Sequence, residues 1–178
     1  MSAQNPPISG EIDLADSVIV ALGANDKGQF DSCQQGLERA LDRLSQSGCF
    51  VIARSDWWES AAWPNPSDPP FINGVAVVRT EQLPKALMAT LSRIEDELGR
   101  VRSTRNAPRT LDLDLIAYGR VVGDLDGLHL PHPRAEDRLF VMGPLAQIAP
   151  HWRHPVSQKT AEALAASATV GRDAKPLG

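Results

Sequence analysis

Phe71 to Ile116, FINGVAVVRTEQLPKALMATLSRIEDELGRVRSTRNAPRTLDLDLI, carries the pattern that decides the fold. Phe71 to Thr80 is rich in β-branched and apolar residues and predicts a strand. Leu83, Leu87, Leu91, Ile94 and Leu98 then recur at helical spacing, and Gly99 supplies the stop. After the link Arg100 to Arg109, the run RTLDLDLI alternates apolar and polar residues and predicts another strand. Upstream, Ser17 to Leu22 reads as a buried strand, and Cys33, Leu37, Ala40, Leu41 and Leu44 follow an N-cap at Asp31 or Ser32 to form a helix that stops at Gly48. Phe50 to Trp58 reads as one strand, and Glu59 to Pro70 holds four prolines and must be loop. Strand, helix, strand, strand, helix, strand is the order of a ferredoxin-like βαββαβ sandwich. This is an α+β fold in which an antiparallel sheet is covered by helices.

Beyond Tyr118-Gly119 lie Val121-Val122, the loop LHLPHPRAEDR from Leu128 to Arg138, the apolar segment FVMGPLAQIAP and a helix expected over Ser157 to Ala168. These form a C-terminal extension of the sandwich. The expected organisation is a flexible tail over 1–15, a single domain over 16–168 and a frayed tail, TVGRDAKPLG, over 169–178. At 178 residues the chain suits one domain, and no apolar run approaches the roughly 18 residues of a membrane span. The start has no basic region followed by an apolar core, so the cytoplasm is the expected compartment. Cys33 and Cys49 lack metal-type spacing and are given no role. A net charge of −4 argues against broad nucleic-acid binding, although Arg93, Arg100, Arg102, Arg105 and Arg109 crowd together.

Alternation along RTLDLDLI sends Leu111, Leu113 and Leu115 one way and Asp112 and Asp114 the other. The two acids share a face with Cα atoms roughly 6 to 7 Å apart, within joint reach of one or two hard cations. The bland alternative is a wet strand face. Aspartates on a rigid strand suit Mg²⁺, which keeps waters or substrate phosphates in its shell, and the arginines just before them match phosphate oxygens two points at a time. His132, between two prolines, and Arg134 and Arg138 add a second group of phosphate-facing side chains on a loop. Trp57, Trp58, Trp63 and Phe71 are aromatics of the kind that usually just pack. Asn73, two residues from Phe71, shares its face, so a flat heterocycle could stack on the ring and be read by the amide. No G-x-x-x-x-G-K-[ST] is present, and GANDKG does not fit G-x-G-x-x-G.

With these residues in place, the chain resembles the 6-hydroxymethyl-7,8-dihydropterin pyrophosphokinase family of folate biosynthesis, from about Val18 to Pro150. The strongest part is PRTLDLDLIAYG, with PHPRAEDRLFVMGPLAQIAP at a matching spacing, ALGAN like the opening turn and FIN like a pterin-side motif. The resemblance implies a ferredoxin-like fold and transfer of the β,γ-diphosphate of ATP, the co-substrate, to the pterin hydroxymethyl group. AMP is released and two Mg²⁺ ions are bound. It assigns the metal to Asp112 and Asp114, catalysis to Arg100 and Arg102, and ATP binding to Arg109, His132 and Arg138. The pterin falls to Ser60, Phe71, Asn73 and Phe140, and Glu95 matches a helix acid near the site.

The chain departs from the pattern in three places. The Arg102 to Arg109 link is one residue shorter than in better-known members, Asn106-Ala107 stands for a common Trp-Gly pair, and Ala61-Ala62 replaces a frequent proline pair. ATP and 6-hydroxymethyl-7,8-dihydropterin are the expected partners, with no nucleic acid and no membrane, and a chain of this size leaves room for another folate-pathway enzyme beside it. The alternatives are a Mg²⁺-dependent phosphohydrolase or nucleotidyl transferase using the same acids, and a non-catalytic RNA-binding sandwich.

Overall fold

The structure, a computed structural model, describes residues 17–101 and 105–178. β1 (Val18–Ala24), α1 (Cys33–Gln46), β2 (Phe50–Arg54), β3 (Trp58–Ser60), β4 (Phe71–Arg79), α2 (Pro84–Glu97) and β5 (Asp112–Tyr118) follow one another along the chain. The expected strand over Phe50 to Trp58 is divided into β2 and β3, which pair in succession with the two halves of β4. At the break, Ser55 bonds β4 through both backbone and side chain: its N donates to Val75 O at 2.9 Å and Val75 N donates to its Oγ at 3.0 Å. Counting β2 and β3 as one interrupted strand, the sheet runs β5, β1, β4, β2/β3, all antiparallel, which is the ferredoxin-like order.

Side-chain alternation divides the core between the two faces. Val18, Val20 and Leu22 of β1 face Leu37, Leu41 and Leu44 of α1 and Leu87, Leu91 and Ile94 of α2. Ser32 caps α1 by accepting from Gln35 N at 3.1 Å, the expected polar start. Ile19, Val75 and Ile116 point the other way, into a second cluster built on α3 (Leu139–Ile148) and α4 (Ala161–Ser167). The extension thus covers the opposite face instead of lengthening the same layer. A short hairpin, β6 (Gly123–Leu125) with β7 (Leu128–Leu130), joins β5 to the loop bearing His132. The last helix starts at Ala161, later than expected, because Thr160 takes the capping place by accepting from Ala163 N at 3.1 Å.

Residues 169–178, expected to fray, are tied down at both ends. Thr169 N and Oγ1 donate to Asp137 at 2.8 and 2.6 Å, and Leu177 N donates to Trp57 O at 2.9 Å. Between them β8 (Lys175–Pro176) adds to β3. The segment is polar enough to read as tail, but it satisfies its backbone groups against a sheet edge and a turn. The other expected tail, 1–15, lies outside the described residues. Among those residues no helix is long and apolar enough to cross a membrane.

Both tryptophans at the β2/β3 break pack, as aromatics beside strands usually do. Trp57 lies over Gly74 and donates to Glu38 at 3.1 Å, while Trp58 lies so close to Gly143 of α3 that a Cβ there would meet its ring at 2.6 Å.

Beneath α4, His154 is buried, and its Nδ1 accepts from Val156 N at 3.2 Å and Ser157 N at 3.1 Å. Those bonds need a bare Nδ1, and burial holds the imidazole below its usual pKa, with Glu136 opposing. Because the folded value is depressed, the associated stability is present above the unfolded value, about 6.5, and is lost as pH falls through it towards the folded value. Urea midpoints measured across that window should fall with acid in the natural chain. In His154→Asn, whose amide oxygen can take the same bonds, this component of the pH dependence should vanish.

Candidate active site

The face of the sheet that α3 and α4 cover is only partly filled, and the remainder is an open cleft of about 240 Å³. Its floor follows from register. Gly23 of β1 pairs with Asn73 of β4 on one side and with Asp112 of β5 on the other, and Ala21 pairs with Val75 and Asp114. At about 4.8 Å per strand, the acid and the amide are two strands, roughly 10 Å, apart, with almost no side chain between them. Gly23 keeps that space clear, since a Cβ there would already touch Asn73 Oδ1 at 3.4 Å.

On the β5 side, Leu111, Leu113 and Leu115 are buried against the helices while Asp112 and Asp114 face the cleft, as alternation requires. Each oxygen of Asp112 meets an arginine: Arg100 lies 2.9 Å from Oδ1 and Arg109 2.7 Å from Oδ2. Arg100 is also ion-paired with the buried Glu95 of α2, whose Oε1 accepts from Leu113 N at 3.3 Å. Glu95 therefore ties helix, strand and arginine together. Among the described residues, Asp114 has no such cap. Its side chain is open to the cleft mouth, yet the surrounding walls strip much of its hydration. Burial first, and then the charge of Asp112, push its carboxyl above the usual range, with His132, Arg138 and Arg100 opposing. Among the described residues no third His, Cys, Asp or Glu joins the pair as a metal ligand.

His132 is brought to Asp114 by the bulge in β5, where Ile116 is the extra residue between the pairs Val20 with Leu115 and Ile19 with Ala117. Its N donates to Ile116 O at 2.8 Å, and its Nδ1 accepts from Arg134 N at 3.2 Å. Burial lowers its pKa while the charge of Asp114 raises it. Arg138 borders the cleft with its guanidinium 5.7 Å from the ring of Phe140.

On the β4 side stand Phe71, Asn73 and Ser60, with Asn73 Nδ2 donating to Ser60 Oγ at 2.9 Å in a buried contact. Phe140, at the start of α3, closes the same end. Trp63 is 79% exposed at the rim. The cleft thus gathers Ser60, Phe71, Asn73, Phe140, Arg109, Asp112, Asp114 and Arg138; Arg100 does not line it but pairs with Asp112, and His132, close enough to feel the charge of Asp114, lines a neighbouring hollow instead. Arg102 lies outside the described residues.

Asn25 was not singled out by the sequence. It caps β1 where the chain turns, donating to Pro69 O at 3.1 Å and accepting from Arg109 N at 2.8 Å, while Arg109 O accepts from Asn25 N and Asp26 N at 3.0 Å each. One 5% exposed amide joins the proline-rich loop to the approach to β5. The signal lay in an asparagine at a strand end, where it reads equally well as a turn former.

This geometry coincides with the region in which known proteins match. The family model for 7,8-dihydro-6-hydroxymethylpterin-pyrophosphokinase (HPPK) matches residues 19–150. The chain belongs to this family. Relatives named 2-amino-4-hydroxy-6-hydroxymethyldihydropteridine pyrophosphokinase include one from Synechocystis sp., 41% identical over 143 residues, covering 80% of this chain and 71% of the relative. Another from Pseudomonas aeruginosa is 38% identical over 159 residues, covering 89% and 96%. Among solved structures, Plasmodium falciparum HPPK-DHPS with pteroate aligns at a TM-score of 0.66 and 13% identity, over 84% of this chain and 44% of that one. That likeness shows the pyrophosphokinase fold, in a chain more than twice the aligned length.

Replacing Asn25 by Ala strips partners from buried backbone groups on two segments at once. Such a loss costs about 1 to 3 kcal/mol. Urea unfolding of Asn25→Ala should show a drop of that size, with the slope of the transition unchanged.

Proposed function

We propose that this cleft transfers the β,γ-diphosphate of ATP to the hydroxymethyl group of 6-hydroxymethyl-7,8-dihydropterin. The hydroxyl oxygen attacks the β-phosphorus, the bridge to the α-phosphate breaks, and AMP leaves with the bridging oxygen. One observation carries the reading: register sets Asp112 with its arginines and Asn73 with its rings at opposite ends of one row, across an open Gly23.

Two oxygen-donor aspartates fit Mg²⁺, which takes one or two protein carboxylates and completes its shell with water and phosphate. Asp114 supports this, because a carboxylate that burial and a like charge disfavour is relieved by a cation. Two Mg²⁺ ions held by Asp112 and Asp114 would neutralise the phosphates and favour ionisation of the attacking hydroxyl. The protein's part is placement. Arg100 and Arg109 are paired with Asp112, and a triphosphate would offer their guanidinium groups better-matched oxygens. His132, with Nδ1 engaged as an acceptor, presents Nε2–H to a phosphate oxygen, and Arg138 stands beside it. Arg102 belongs to the same cationic set on the resemblance alone.

At the other end, Phe71 and Phe140 would hold the two faces of the pterin. Asn73 reads its edge while Ser60, hydrogen-bonded to it, fixes the amide's orientation. The two-part name HPPK-DHPS supports a second enzyme as a working neighbour, and bacterial relatives support a cytoplasmic place. The working unit is one domain from residue 16 onward, with 169–178 included.

Incubation with ATP, Mg²⁺ and the dihydropterin should yield AMP in a one-to-one ratio with pterin diphosphate. ADP or inorganic phosphate as the main product would indicate a different transfer. Asp112→Ala and Asp114→Ala should each lower the rate by roughly a hundredfold or more, the order seen when a positioned charge is lost. Rates within a few-fold of the natural chain would refute the metal assignment.

A further inference from the structure

Residues 151–178 lie beyond the family match, yet the end of that stretch reaches both walls of the cleft's aromatic end. On one wall, Asp173 Oδ2 accepts from Ala61 N at 2.5 Å, directly after Ser60. On the other, Gly171, at φ +68°, runs so close to Phe140 that a Cβ there would meet ring Cδ1 at 2.4 Å. Val170 O accepts from Leu139 N at 2.9 Å, and Val170 N donates to Asp137 O at 3.0 Å, which holds the same strap to the start of α3. One residue, Arg172, separates Gly171 from Asp173, and Ala174 N closes the turn on Gly171 O at 2.9 Å. The anchors on the two walls therefore belong to one short, internally bonded turn.

The wall at Ala61 needs an anchor. It opens the proline-rich loop 61–70, whose far end is held by the bond from Asn25 to Pro69. A proline at 61 would stiffen the chain but have no N–H, whereas Ala61 supplies the donor that Asp173 uses. We propose that Asp173 is a positioning residue for the pterin. Together with Gly171, it joins the Ser60–Ala62 wall to Phe140 and so sets the gap that the flat ring must enter. Among the described residues the acids on β5 make no bond with this strap, and its backbone bonds on either side of Arg138, to Asp137 O and Leu139 N, do not involve Asp173.

The inference rests on the pterin reading above. Its test compares Asp173→Ala with Asp173→Asn, which keeps an oxygen able to accept from Ala61 N. In Asp173→Ala, KM for the dihydropterin should rise about tenfold, the scale of one charge-assisted hydrogen bond, with KM for ATP and the melting temperature nearly unchanged. Exchange of the Ala61 amide, read by NMR, should quicken by a similar factor. Asp173→Asn should restore both within about twofold. An unchanged pterin KM, an equal rise in both KM values, or failure of Asn to rescue would overturn the proposal. A natural chain that releases no AMP would overturn the functional reading instead, and unchanged Ala61 exchange in Asp173→Ala would then overturn the anchor on its own.

Discussion

Gly23 stands in register with Asn73 on one neighbour and Asp112 on the other, and the rest of the site depends on that pairing. A strand's side chains alternate, so a slip of one residue would turn Asp112 and Asp114 into the helix-covered core and Leu113 into the cleft. The slip is opposed from both sides at once. Val18, Val20 and Leu22 must remain against α1 and α2 while Ile19 remains against α3. The hydrophobic effect therefore fixes the position of the acids through residues on the other strands and on the helices. Ala21 and Gly23 can be small because the cleft, not the core, occupies the space above them.

Charge is arranged on this frame in two different ways. Asp112 is compensated by Arg100 and Arg109, and Arg100 is in turn held by Glu95, so the charge on this half of the acid pair is balanced within the protein. Asp114 is not at rest, since burial and its neighbour both oppose its charge. On the proposed reading, a cation would gain most at Asp114, and a polyanion most from the arginines on Asp112. Each ligand improves the terms for the other, because a cation that shares Asp112 frees guanidinium groups for phosphate.

Elements governed by periodicity were legible in the sequence. The alternation in RTLDLDLI, the helical spacing of Leu83 to Leu98 and the element order led to the observed sheet and to a cleft that gathers most of the expected residues. Three features were not legible, each for a physical reason. The bulge at Ile116 inserts one apolar residue between two others, and Leu115-Ile116-Ala117 reads the same with or without it. The interruption of the strand over Phe50 to Trp58 depends on Ser55 finding Val75, a partner twenty positions away. The ordering of 169–178, whose composition is that of a loose tail, comes from backbone bonds and two aspartates, Asp137 and Asp173. Local pattern reports burial well, but it does not report where a polar backbone finds its partners.

The two ends of the cleft consequently rest on different physics. At the phosphate end, the groups come from β5, the link before it and the loop after β7, and what matters is the balance of charge among one acid pair, three arginines and a histidine. Small displacements there are tolerated, because Coulomb forces in a half-buried site vary gently with distance. The aromatic end has no comparable charge. On the proposed reading, a planar ring between Phe71 and Phe140 would gain from dispersion and apolar burial, which fall away within an ångström of misfit. Rigidity has to be supplied at that end from outside the sheet. The proline-rich loop, the amide of Asn25 and the strap through Gly171 and Asp173 are all found on that side, where precise spacing has most effect.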